Sequence, residues 1–79
     1  MLAFTGLHDR NGTEIYEGDI ITGKDGKFKI KGVVKFKEGC FWCMIPPDDY
    51  FEPFPDLMEG YEVEVVGNVF ENPGLLKEE

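Results

Sequence analysis

Cys40 and Cys43 form a C-x-x-C pair, a spacing associated with metal and redox chemistry. A structural zinc site needs about four ligands in tetrahedral geometry. Two cysteines and the single histidine, His8, leave one chain short of that set. A thioredoxin-like use of the pair needs a βαβ context, whereas residues 40–45 (CFWCMI) read as a strand. Positions three apart in a strand face opposite sides, roughly 10 Å apart at ~3.3 Å per residue. That is beyond the reach of a disulfide, so two free thiols, no metal and no cofactor are expected. His8 stands in a turn rich in Gly, Asp and Asn, without the partner a general base needs, and reads as a surface residue. Glu17 with Asp19, and Asp48 with Asp49, bring carboxylates together. Such pairs bind metal or move protons only in a fixed geometry, and no spacing here fixes one. No catalytic residue is assigned, and the chain is read as not an enzyme.

The clearest positive signal is a strand with a basic face. From residue 27 to 37 the chain alternates strictly. Lys27, Lys29, Lys31, Val33, Lys35 and Lys37 point one way, and Phe28, Ile30, Gly32, Val34 and Phe36 the other. A row of lysines can track a phosphate backbone, with Phe41 or Trp42 nearby for base stacking. Lys27, Lys29, Lys31, Lys35, Lys37 and Trp42 therefore form a candidate nucleic-acid surface. The competing reading is that alternating lysine keeps a strand face soluble and blunts a sheet edge, with Glu62 and Glu64 as ion-pair partners. Net charge is −8, which repels nucleic acid at long range.

The sign of the charge is segregated. Residues 24–37 carry six lysines against Asp25 alone, while residues 38–76 carry nine carboxylates with no Lys or Arg. In that acidic part, residues 46–60 hold Pro46, Pro47, Pro53 and Pro55, which exclude a regular strand or long helix through most of the stretch. Aromatic anchors inside an acidic rim suit an interface for a basic protein surface. Tyr50, Phe51, Phe54, Asp48 and Asp49 form the candidate protein-binding set. The alternative is that these rings fold back and plug one end of the core.

The elements that would position these residues are short β runs separated by turns. Strands are expected at 4–7, 13–16, from 19, over 27–37, at 40–45 and over 61–70. Asn11-Gly12, Glu17-Gly18, Asp25-Gly26 and Glu38-Gly39 mark the turns. Gly32 and Gly67 are positioned for a bulge or bend, and residues 56–59 for one helical turn ended by Gly60. Hairpin-connected strands of this number suit an all-β fold, a small SH3-like or partly open β-barrel; a five-stranded Greek-key barrel is the second choice. Seventy-nine residues make one domain, here 1–73 with a tail at 74–79. No run of ~18 apolar residues exists to span a membrane, and the N-terminus lacks the pattern of a secretory signal. A cytoplasmic protein is expected.

Three stretches resemble the YopX family of phage and prophage proteins. They are residues 4–21 (FTGLHDRNGTEIYEGDII), residues 32–36 (GVVKF) and residues 64–73 (EVVGNVFENP). The resemblance implies a mainly β fold and a phage context in the host cytoplasm, and it supplies no catalytic residues. It also implies a further strand ahead of residue 4 in family members. A sheet without that strand is expected to complete itself as a homo-oligomer or with a partner's strand. The function expected is a non-enzymatic module that binds a host or phage protein, as an inhibitor or anti-defence factor. A small nucleic-acid-binding barrel is the alternative, and a small-ligand-binding oligomer the third reading.

Overall fold

The computed structural model describes residues 2–46 and 50–76. Two strands, β1 (Phe4–His8) and β2 (Glu14–Tyr16), pair as a separate hairpin. Five more form one antiparallel sheet: β3 (Asp19–Asp25), β4 (Phe28–Lys37), β5 (Cys40–Ile45), β6 (Tyr50–Pro53) and β7 (Glu62–Asn68), in the order β6-β5-β4-β3-β7. A short helix, α1 (Phe54–Gly60), links β6 at one edge to β7 at the other. The mainly β expectation holds, and the five-stranded sheet is open, not closed into a barrel. α1 carries the chain across one face of the sheet, from the β6 edge to the β7 edge.

The described part of the stretch at 46–60 departs from expectation in one respect: residues 50–53 form a strand, while the helical turn expected at 56–59 lies within α1. Pro53 ends a four-residue edge strand, where a missing N–H is tolerated. Pro55 lies in the first turn of α1, where the N–H has no helical partner anyway. Asp56 sits in the same turn, the end that favours negative charge. The Tyr61 N–H donates to the Leu57 carbonyl at 3.0 Å, and Tyr61 is already extended. Phe54 and Leu57, three apart, face the same way and are fully buried.

Those two side chains meet Ile21, Val34, Cys43 and Val63 on one face of the sheet and Ile15 from β2 to make the main core. Gly32 lies in this layer without a bulge toward β3, since the β3–β4 register runs on past it. A Cβ there would lie 2.5 Å from Cys43 Sγ and 2.8 Å from the Met44 carbonyl oxygen. Close approach of β5 is what requires glycine. The expected irregularity near Gly67 is present: Ile20 opposes Gly67 and Ile21 opposes Val65, so Val66 is the extra residue. The opposite face of the sheet is also covered near its middle, where Ile20 and Val33 are buried. There the expected tail begins as a 3₁₀ turn (Pro73–Leu76), with the Lys31 ammonium donating to the Leu75 carbonyl at 2.8 Å.

Candidate functional site

The two candidate surfaces do not survive as separate groups of residues. In the protein-binding set, Phe54 has no exposed surface and is core; it cannot be an anchor for a partner. Asp48 and Asp49 lie outside the described residues. Tyr50 is exposed on β6, and its hydroxyl donates to Glu52 Oε1 at 3.1 Å. That bond raises the phenol pKa above 10.0, with the Glu52 charge adding to it. Phe51, half-buried, points to the other side of β6 because side chains alternate.

The lysine stripe is broken. Lys27 sits in the hairpin turn, which is Gly26-Lys27, with Asp25 opposite Phe28 closing the strands. Lys29 lies opposite Lys24, which in turn lies opposite Glu62 on β7. Lys31 is engaged by the C-terminal turn, and Val33 beside it is buried. Lys35 and Lys37 are thereby separated from Lys29 and Lys31. The anticipated pairing with Glu62 and Glu64 is not what the carboxylates make here: Glu62 pairs with Arg10 at 3.7 Å, and Glu64 accepts from Asn11 at 3.2 Å.

What the register does bring together is Lys35, Lys37, Trp42 and Phe51. Lys35 opposes Trp42 and Val33 opposes Met44 across β4–β5, and Met44 opposes Phe51 across β5–β6. Directly opposed residues share a face, so Lys35, Lys37, Trp42, Met44 and Phe51 lie on one side. The Trp42 and Phe51 rings meet edge to face at 6.5 Å, a favoured aromatic arrangement. The Lys37 ammonium stands 4.6 Å from the centre of the Phe51 ring, a cation–π contact. The Trp42 indole N–H donates to the Lys37 carbonyl at 3.3 Å. The patch therefore holds two apolar rings with an ammonium poised above one of them. Sequence reading assigned Phe51 to one surface and Trp42 with the lysines to another, and it passed over Met44. Continuing the alternation of β5 across a hairpin to a β6 is the signal that would have joined them.

The cysteines behave as strand residues. Cys40 is exposed, Cys43 is buried, and both are free. Burial, helped by the Glu52 carboxylate, pushes the Cys43 thiol up to about 12. Thiolate is the reactive form, so a thiol reagent is expected to modify Cys40 alone in the native protein and both cysteines in denaturant. Equal native labelling of Cys43, read by mass spectrometry, would contradict its place in the core. Among the described residues no group of three or more His, Cys, Asp or Glu side chains is placed to hold a metal. His8 ends β1, its ring edge-on to Phe4 at 5.9 Å. An open depression of about 450 Å³ lies between the β3–β4 turn and the end of α1. Lys24, Asp25, Glu59 and Glu62 line it, without the apolar walls typical of a small-molecule site.

Many residues of the stretches at 4–21 and 64–73 make structural hydrogen bonds. Asp9 Oδ1 accepts from the Asn11 and Thr13 N–H groups at 2.8 and 2.9 Å, and Oδ2 from the Val65 N–H at 2.9 Å. The Arg10 N–H donates to the Val63 carbonyl at 3.0 Å. The β1–β2 turn is thus latched along the outer edge of β7. Thr5 donates to the Ile15 carbonyl, Glu17 accepts from the Ala3 N–H, and Asp19 accepts from the Tyr16 N–H. Asn68 accepts from Phe70 and Glu71, closing the turn after β7.

The fold and surface define an open antiparallel sheet latched at one edge, with an aromatic and basic patch toward the other. The chain belongs to the YopX protein family, which it matches over residues 1–77. Comparison with curated proteins and with solved structures finds no match. No helix among the described residues is long and apolar enough to cross a membrane.

Proposed function

We propose that this YopX-family chain is a non-enzymatic protein-interaction module of phage or prophage origin, working in the host cytoplasm through the face around Trp42 and Phe51. The observation that supports the reading most is the clustering of Trp42, Met44 and Phe51 with Lys35 and Lys37. Aromatic and Met side chains supply the apolar centre of an interface, and the lysines its charged rim. The partner this chemistry suits is an acidic surface of a host or phage protein, and covering that surface would be the means of inhibition. In this reading the lysine-rimmed face, not the acidic and aromatic stretch at 46–60, makes the contact, and the partner's charge is accordingly negative rather than positive.

A second reading keeps the same face but gives it single-stranded nucleic acid, favoured by the lysines beside Trp42. Only two lysines remain in that group, fewer than a backbone-tracking groove uses. Affinity capture from infected-cell lysate with the tagged chain, with and without nuclease, separates the readings. The comparison chains are Lys35→Glu with Lys37→Glu, and Trp42→Ala. A protein retained through nuclease treatment and lost with both variants is expected. Nucleic acid alone, released by nuclease, would transfer the face to the second reading. A protein held equally by all three chains would remove this face from the function.

A further inference from the structure

The two edges of the sheet are treated differently. The β7 edge is covered by the β1–β2 turn, through Arg10 N–H to the Val63 carbonyl and Val65 N–H to Asp9. At the other edge, β6 pairs with β5, and among the described residues no strand lies on its outer side. An uncovered edge is a template for another strand. β6 carries no lysine to guard it; its defences are its four-residue length, Pro53 at its end and the Glu52 charge, which alternation places on the face away from Phe51.

The binding patch reaches that edge. Phe51 belongs to β6 itself. Lys37 starts on β4, two strands away at ~4.8 Å per strand, yet its ammonium stands over the Phe51 ring. A positive charge is therefore held where side chains of an added strand would arrive.

Taking the face around Trp42 and Phe51 as the binding surface, we infer that the partner docks by strand addition. An extended acidic segment pairs its backbone with the outer edge of β6 and lays a carboxylate against the Lys37 ammonium, which already reaches that edge. Backbone pairing supplies affinity in this mode, and the alternate side chains supply selectivity. The Lys37 ammonium exchanges its contact with Phe51 for a charge-assisted hydrogen bond, which is the stronger interaction.

The test titrates the isotope-labelled full chain with a capped peptide of alternating Glu and Val. Backbone amide exchange is followed by NMR and Trp42 by fluorescence. Neighbouring N–H groups point to opposite sides of a strand, so of Phe51 and Glu52 the amide that faces away from β5 is expected to exchange about tenfold more slowly, as it does when closed into a ladder, with a concurrent change at Trp42. A peptide N-methylated on every second amide, and the Lys37→Glu chain, are expected to lose both effects. A Trp42 response with equal binding of the N-methylated peptide would overturn strand addition while leaving the face as the binding site. A response to an oligothymidylate but not to the peptide would overturn the protein-binding reading and the strand addition built on it. No response to either probe would overturn both.

Discussion

Phe54→Ala is expected to lower folding stability by about 3–5 kcal/mol, the range for emptying a large aromatic site in a core. A domain of this size has roughly 4–12 kcal/mol in total, so much of the chain's margin goes with one ring. Phe54 has no exposed surface and packs with Leu57 against Ile21, Val34, Cys43 and Val63. It also fixes α1 beneath the sheet and so sets where the chain crosses to β7. The melting midpoint followed by circular dichroism should fall by roughly 20 °C. Phe51→Ala, at a half-buried ring on the edge strand, should cost about 1 kcal/mol by lost area and remove binding instead. Equal stability losses for the two would contradict their assignment to core and surface.

Asp9→Ala is the other large effect, expected to cost about 3 kcal/mol. The carboxylate is 7% exposed and satisfies three backbone N–H groups, two in its own turn and one on β7. Hydrogen bonds to a charged group contribute about 1.5–3 kcal/mol each, and donors left without partners carry their own penalty. The loss should appear first as faster amide exchange at Val65 and in β1–β2, because the latch on the β7 edge opens before the main core.

The same residue sets part of the acid response. Burial pushes the Asp9 carboxyl up, but the N–H groups of Val65, Thr13 and Asn11 and the Thr13 side chain outweigh it and hold it below 3.8. A depressed carboxyl contributes its full stability above the unfolded value and loses it as pH falls through the folded value. Asp19 works in the opposite direction. Burial raises it above 3.8, against the Tyr16 N–H that lowers it. Its contribution is full below the unfolded value and is lost as pH rises through the folded one. The native chain should therefore hold or gain slightly on acidification toward pH 3.8 and lose stability below it. Asp9→Ala should lack the acid loss, which urea unfolding at a series of pH values would show.

Local structure was legible in the sequence because its causes are local. Asn11-Gly12, Glu17-Gly18 and Glu38-Gly39 place positive φ where the chain turns, and alternation over 27–37 makes a strand. The family stretches were equally readable, and the structure gives their side chains local work, as with Asp9 and Asn68. The helical turn at 56–59 is legible too, but the strand at 50–53 is not: proline forbids interior strand and helix positions but not a strand end or a first helical turn, and Pro53 and Pro55 occupy those.

The candidate site was legible only in pieces. Alternation assigns residues to a face but not what covers that face. Lys31 and Val33 follow the same period as Lys35 and Lys37, yet the turn at Pro73–Leu76 comes over the first pair only. Phe51 and Phe54 look alike in sequence, three residues apart among prolines and acids. A strand ends and a helix begins between them, which sends one ring to the surface beside Lys37 and the other into the core.

The residues alone carry the small mainly β domain of the YopX family, its turns, its basic strand and its two unbridged cysteines. Folding adds what neighbours along the chain do not carry: the sheet stays open, one edge is latched while no described strand covers the other, and Trp42, Phe51, Lys35 and Lys37 share one face. The physical reason is that turns and alternation are fixed by neighbours along the chain. Edges, covered faces and the register between β4, β5 and β6 are fixed by segments that meet only after the chain has folded.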